Sequence, residues 1–437
     1  MKQNNSKPTF QHNKEFIAGL IILLIVVSIG FIEFQIYLSS WEYCTDIVVF
    51  GSEKISMAMD GSRNTYITGD IYYVENGSER IFTSRKLVII KVNASNKVEW
   101  IRLLNISGVE TKGIDVVIDG ENFIYVTGGI TRNSKSGILI VKVSPEGKLI
   151  WMKEVSFNAS AQGWEAKIAD GRLFFIGSGH SSNNSTIVIG SVITSNGSVI
   201  WKAQRTFNRQ YNFVIDLDLD DEKHIYVLTA SGYGNFTINL TRYSDNGTIE
   251  WEQKYVIHNH TINFGTPSTF AQLIMFPWNK TTFGVHVIHY NATLHRFIDI
   301  IFNLNRTDGT LIDTTTLLEA SVMVFSENYI YRLLIGYRSK NKTHAYMVLE
   351  KYDERWNLIV NKTTVIAQDS IQPYQAVLSS DGNIYYVDTT VKVIKCTGFP
   401  VPRLNKIQVD NDLSRHTKEV IASADVREFN ISQFFLK

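Results

Sequence analysis

At 437 residues, with 44% apolar, 12% aromatic and 19% charged residues, the chain has enough apolar surface to bury a large core and too little charge to stay unfolded. A formal charge of +1 with scattered Lys and Arg gives no basic stripe for phosphate backbones, which argues against nucleic acid as a partner. Tyr, Phe, Val, Ile, Thr and Asn abound while long Ala/Leu/Glu/Lys runs are almost absent, so strands and turns are expected throughout.

The first element is FIAGLIILLIVVSIGFIEFQIYL, residues 16–38. As a helix it would be about 34 Å long, enough to span a bilayer. Its one charge, Glu33, lies near the outer end beside Tyr37 and Trp41, where it can reach headgroup water. Lys2, Lys7 and Lys14 precede the segment against a single Glu15, a bias that keeps the N-terminus in the cytoplasm and exports the rest. The alternative is a cleaved signal peptide, but bulky Tyr37 and Leu38 stand two residues before Ser39 and Ser40, where a small-x-small site would need small side chains. The expected organisation is a cytoplasmic tail at 1–15, a transmembrane signal anchor at 16–38, an ectodomain at 41–399 and a tail at 400–437.

Beyond the anchor a repeat sets the fold. Trp100, Trp151, Trp201 and Trp251 are 51, 50 and 50 residues apart and end the similar runs NASNKVEW, VSPEGKLIW, ITSNGSVIW and YSDNGTIEW. A period near 50 suggests propeller blades or another stacked array. The clearest unit, 114–155, reads as an apolar strand ending in Asp119-Gly120, a strand from Phe123, a loop, a strand from Ile138, a Pro-Glu-Gly turn and a strand from Leu149. Further copies begin near Met57, Lys167, Leu217 and Val377, with two divergent units around 283–318 and 322–366. The fold expected is all-β, a seven-bladed β-propeller of four-stranded antiparallel blades preceded by one transmembrane helix. The Trp positions predict packing between adjacent blades.

The Asp-Gly turn before Tyr-Val-Thr-Gly, followed by a Lys-containing strand and a Gly-x-x-x-Trp ending, resembles the bacterial and archaeal seven-bladed β-propeller repeat family, most strongly from Asp119 to Trp151. More loosely it resembles quinoprotein-type propeller repeats. Neither resemblance brings a catalytic residue with it, and fold analogy does not confer function.

A ring must be fastened where its ends meet. Thr45–Phe50 is an orphan strand, and the last unit lacks a Trp-ending fourth strand. If the orphan strand completes the last blade, Cys44 and Cys396, the only cysteines, lie on neighbouring strands and would pair in an oxidising compartment. The alternatives are two separate thiols, and a fourth strand supplied by Leu404–Val409. Pro400 and Pro402 mark the exit from the ring, and Thr417–Phe429 reads as a short helix outside it.

Glycan acceptors of the form Asn-x-Ser/Thr exceed chance. The expected sites are Asn76, Asn93, Asn105, Asn158, Asn183, Asn196, Asn235, Asn246, Asn291, Asn305, Asn341 and Asn361, with further copies at Asn184, Asn239, Asn259, Asn279 and Asn430. Some, such as Asn196-Gly197 and Asn246-Gly247, are also dipeptides that hairpin turns favour.

Catalytic signatures are missing: there is no HExxH, GxSxG, Walker loop, paired-cysteine cluster or sialidase-type Asp box. His258 and His260 would share one face of a strand but have no third ligand, and His286 and His289 would face opposite sides. Asp216, Asp218 and Asp220 alternate onto one face of an inner strand, where calcium would answer their repulsion, and Asp115 holds the place of Asp216 in an earlier blade. The alternative is that Asp220 belongs to a turn and the others face channel water. No other cofactor is expected. Tyr233, Trp278, Tyr290 and Tyr337 fall in or beside loops and are candidate aromatic ligand platforms. Loops between second and third strands, at 70–85, 129–137, 178–186, 231–236 and 337–344, vary in length as ligand-contacting loops do. The leading reading is a non-enzymatic cell-surface module that binds a protein, glycan or envelope ligand. A quinoprotein-like or lyase-type enzyme and a structural envelope component are the alternatives.

Overall fold

The structure is a computed structural model that describes residues 47–50, 55–74, 84–95, 98–106, 108–180, 184–208, 212–231, 236–257, 271–274, 280–291, 296–318, 321–325, 329–337, 345–366, 373–378, 383–388, 394–395, 403–408, 416–417 and 425–428. Among these residues every regular element is a strand, and the strands form seven sheets.

Sheet II shows the common plan. Glu110–Ile118, Ile124–Arg132, Lys135–Val143 and Leu149–Val155 pair antiparallel in chain order. Sheets III to VI repeat it, with first strands at Gln162–Ala169, Asn212–Leu219, Ala271–Ile274 and Ser321–Phe325, while sheet I is built on Ser56–Met59, Thr65–Val74, Ser84–Val92 and Val98–Leu104 and sheet VII opens with Pro373–Leu378 and Asn383–Asp388. The divergent stretches around 283–318 and 322–366 are thus true copies, sheets V and VI. Middle strands such as Lys135–Val143 are buried as continuous runs, since each is covered on both faces by a neighbouring sheet. The core accordingly sits between sheets: Tyr66, Ile89 and Trp100 of sheet I pack with Val116, Val126 and Val141 of sheet II, and the pattern continues from II to III, III to IV and IV to V.

First strands of successive sheets lie against one another from I to V and from VI to VII, and that of VII returns to that of I. Sheets V and VI are joined by a buried ion pair, Arg332 Nη2 to Asp299 Oδ2 at 2.9 Å. In each sheet the turn between first and second strands lies on the same face of the molecule as the turn between third and fourth, a consequence of the antiparallel order.

The closure differs from expectation. Ile47–Phe50 does not enter the last sheet. It pairs with Thr65–Val74 of sheet I, extending the inner edge where Ser56–Met59 also pairs. The last sheet takes Arg403–Gln408 as its third strand and His416–Thr417 as its fourth, so the sheets run on past Pro400 and Pro402. Between its second and third strands, Ile394–Lys395 reaches across to pair with Ile47 and Val48. Where a helix was expected, Asp425–Glu428 is a strand, parallel to Trp100–Leu103 on the outer edge of sheet I. The physical reason is the same in each case: an open edge needs partners for its N–H and C=O groups, and the chain ends supply them. The expected anchor at 16–38 lies outside the described residues, among which no helix is long and apolar enough to cross a membrane.

Candidate functional site

Three features of the sheet seams decide which side chains are available for chemistry: the inner strands, the Trp-turn junctions and two polar clusters between sheets.

The inner strands carry the acidic residues singled out by alternation. In sheets II, III and IV the pairing of first with second strand slips by one residue just before Asp115, Glu165 and Asp216. The β-bulge re-aims the side chain that follows. Asp115, 2% exposed, accepts Ser56 Oγ–H at 2.6 Å and the Ala166 N–H at 2.9 Å, so it ties sheet I to sheet III through sheet II. Ser56 Oγ in turn accepts the Val116 N–H at 3.2 Å. Asp216 accepts the Leu273 N–H of sheet V at 2.7 Å, which gives it the role of Asp115 one repeat pair later. Separate sheets leave the inner edge of each first strand without ladder partners, and these side chains satisfy it.

The three aspartates considered for calcium go different ways. Asp216 bonds the next sheet. Asp218 lies 3.7 Å from the Lys167 ammonium of sheet III. Asp220 has left the strand and clamps a turn, its Oδ1 accepting the Glu222 and His224 N–H groups at 3.0 and 2.9 Å and its Oδ2 the Tyr226 hydroxyl at 3.0 Å. Lys167 is the positive charge that answers the inner-strand acids. Asp218 foremost, and then Asp216, Glu165 and Asp115, outweigh its burial and hold the ammonium charged well above the ordinary lysine range. Among the described residues no group of three or more His, Cys, Asp or Glu is placed to hold a metal ion.

The Asp220 clamp recurs. Asp60 and Asp119 take the N–H groups two and four residues on and the hydroxyls of Tyr66 and Tyr125. Each tyrosine then packs on the tryptophan of its own sheet, with centroids 6.1, 6.0 and 5.9 Å apart for Tyr66–Trp100, Tyr125–Trp151 and Tyr226–Trp251. The indole N–H groups cross to the next sheet, from Trp100 to Pro145 O, Trp151 to Thr194 O and Trp201 to Asp245 O at 3.1, 3.0 and 2.9 Å. The glycine of the following sheet's turn, which in sheets II to IV stands four residues before that sheet's own tryptophan, seats on the indole of the sheet before. Gly147, Gly197 and Gly247 have positive φ, as does Gly309 of sheet V, which sits on Trp251 although Asp313 stands at the tryptophan place, and a Cβ on Gly247 would stand 2.6 Å from Trp201. The Gly-x-x-x-Trp signature is therefore an inter-sheet fastener, as the recurrence predicted. Trp251 breaks the pattern: its indole N–H has no hydrogen bond among the described residues, and Arg306 O of the next sheet accepts Arg242 Nη1 at 2.9 Å.

Between sheets V and VI runs a buried charged chain that sequence reasoning missed. His286 Nε2 lies 2.8 Å from Asp299 Oδ1, Asp299 Oδ2 pairs with Arg332, and Arg332 Nη1 meets Glu350 Oε2 at 2.6 Å. Burial is the strongest influence on Arg332 and opposes its charge, but Asp299, Tyr352 and Glu350 together outweigh it and hold the guanidinium above its ordinary range. No periodicity joins these four positions; only the seam does. Between sheets III and IV is a cavity of about 210 Å³, lined by Arg205, Phe207, Asn212, Ser231, Asn239 and Lys254 among others. Arg205 pairs with Glu252 at 3.1 Å there.

Tyr290 and Tyr337 lie near the ends of second strands, opposite Phe297 and Ala345. Tyr233, Trp278, Cys44, Cys396, His258, His260 and the acceptors Asn76, Asn183, Asn235 and Asn341 lie outside the described residues. Asn105, Asn158, Asn196, Asn246 and Asn361 are exposed, Asn93 and Asn305 half-buried, and Asn291 ends a strand. The loop expected over 129–137 is a two-residue turn at Asn133 and Ser134, both with positive φ.

Separate four-stranded sheets, tied seam to seam by a repeated signature, define a β-propeller. The beta-propeller repeat family SBBP matches residues 99–131, the passage from the outer strand of sheet I into sheet II. No curated protein matches the chain in sequence. Among solved structures, the WD40 domain of SCAP from fission yeast aligns at 8% identity and TM-score 0.38, covering 78% of this chain and 93% of that one. Puromycin hydrolase aligns at 8% and 0.48, covering 80% and 51%. A mutant apocarotenoid oxygenase from Synechocystis aligns at 10% and 0.46, covering 90% and 98%.

Proposed function

We propose that the chain is a membrane-anchored, extracytoplasmic β-propeller, its seven sheets the blades of one ring, which binds a ligand at the cell surface without transforming it. The observation that carries this reading is the use of the inner-strand acids. Asp115 and Asp216 bond the backbone of neighbouring sheets and Asp218 faces Lys167, so the channel position where propeller chemistry would collect is committed to holding the ring. The anchor at 16–38 and the surplus of acceptors support export. Cys44 and Cys396 stand a few residues from Ile47 and Lys395, whose strands pair, and we propose that these two cysteines form a disulfide in an oxidising compartment.

The binding surface fits the face that carries the loops between second and third strands. The cavity between sheets III and IV reaches that face through Phe207, Asn212 and Ser231, and its amides, hydroxyls and the exposed Lys254 suit a polar ligand such as an envelope or host glycan. The test is binding of the purified chain to envelope and host-surface glycan fractions. Saturable binding that weakens in Lys254→Ala while the melting temperature holds is expected. Absence of binding to every fraction, or turnover of a bound glycan, would contradict the reading.

A further inference from the structure

Among the described residues the exposed large aliphatic side chains are not scattered. Ile150, Val199, Ile200, Ile249, Leu311, Ile312, Leu358 and Ile359 all stand at the start of a fourth strand, and Ile193 just before the same turn in sheet III. The pairing of third with fourth strand slips by one residue there in sheets I to VI. That bulge turns outward the residue that regular alternation would bury, and Ile200 and Ile312 are 41% and 54% exposed. Because all these turns share one face, the aliphatic residues form an arc along one rim. An apolar arc of that kind on an exported protein needs a cover.

The cover is written into the same turns. Asn196, Asn246 and Asn305 are acceptors inside the third-to-fourth-strand turns of sheets III, IV and V, and each folds as an Asx turn. Its Oδ1 accepts the backbone N–H two residues on, from Ser198, Thr248 and Thr307 at 2.9, 3.0 and 2.8 Å. This leaves the amide nitrogen outside the turn, with the hydroxyl residue of the acceptor close by. Each turn also sits on the preceding sheet, with Gly197 over Trp151, Gly247 over Trp201 and Gly309 over Trp251, and the residue before each tryptophan or the one before that is exposed Ile150, Ile200 or Ile249. A substituent on each asparagine therefore stands beside the apolar pair of its own strand and that of the neighbour.

We propose that N-linked glycans on Asn196, Asn246 and Asn305 are the structural cover of this rim, an inference that rests on the export reading above. The transfer takes its sugar from a polyprenyl-phosphate-linked donor: the bond from the sugar C1 to phosphate oxygen breaks, a bond from C1 to Asn Nδ2 forms, and the amide proton leaves with the lipid phosphate. Asn239 provides the contrast. It is a half-buried acceptor in mid-strand whose Nδ2 bonds Ser231 Oγ at 3.3 Å, and a glycan there would break the sheet.

The full chain expressed in a host that N-glycosylates exported proteins tests this by glycopeptide mass spectrometry and hydroxyl-radical footprinting. Occupied Asn196, Asn246 and Asn305 and unmodified Asn239 are expected. In the variant Ser198→Ala/Thr248→Ala/Thr307→Ala, which keeps every asparagine and every turn N–H, labelling of Ile200, Ile249 and Ile312 should rise severalfold while inner-strand Ile215 stays protected. Glycans at Asn105 or Asn158 with none at the turns would overturn this inference and leave export standing. Glycans nowhere would overturn both. Occupied turns with unchanged labelling in the variant would overturn the covering role.

Discussion

The side chain on which most depends is Asp115, buried and bonded to two neighbouring sheets. Asp115→Ala strands the Ser56 hydroxyl and the Ala166 N–H in a buried seam, at about 1–3 kcal/mol for each donor left without a partner. Chemical denaturation should show this loss, while Asp245→Ala, on an exposed turn, should change stability by about 0.5 kcal/mol or less. A fall for Asp115→Ala no larger than for Asp245→Ala would mean the seam is not held as described. The equivalence of Asp115 and Asp216 was legible from the repeat, but their use was not. Alternation places a carboxylate on a face, and only the one-residue slip before it aims it at the next strand's N–H. Lys167 was hidden for the same reason: its partner Asp218 is on another sheet, about one repeat away, and no local pattern links them.

At the scale of the repeated element, the Asp-turn, the tyrosine and the tryptophan act together. Burial first, and then the carboxylate of Asp60, Asp119 or Asp220, pushes Tyr66, Tyr125 and Tyr226 well above the ordinary tyrosine range. Their folded pKa values are raised, so the unfolded chain releases these protons first. The stabilisation is complete below about pH 10 and drains as pH rises beyond it. Absorbance of tyrosinate should therefore show these residues ionising only together with unfolding, and free titration near pH 10 in the folded protein would refute the clamp. The glycine of the following turn is equally constrained. Gly247→Ala puts a methyl group into Trp201 at a φ of +86, and should destabilise by about 1 kcal/mol or more in thermal unfolding. Both the tryptophan period and the glycine before it could be read in the sequence because they recur every 50 or 51 residues. The turn geometry could not: in the Asp turns the left-handed residues are Arg63, Asn122 and Lys223, not the glycine that follows Asp60 or Asp119.

For the whole molecule, a fixed plan of sheets is closed by the two chain ends in ways that composition does not encode. Ile47–Phe50 and Ser56–Met59 share the inner edge of the first sheet, the last sheet reaches back through Ile394–Lys395, and Asp425–Glu428 caps the outer edge of the first. The sequence offered several short apolar runs for these places, and which run wins depends on which open edge is nearest after every other sheet has formed. The closure gathers the first described strand at the end of Thr65–Val74, on the face bearing the second-to-third-strand loops, which is the face the proposed membrane tether would approach. The rim of exposed aliphatic residues lies on the opposite face, away from that entry. Export is the premise on which surface binding, the disulfide and the glycan cover all stand, and it can be measured without knowing the ligand. Intact cells treated with an impermeant protease and an impermeant lysine label should lose or label the propeller while the segment bearing Lys2, Lys7 and Lys14 stays protected until lysis; labelling of the propeller only after lysis would contradict the account.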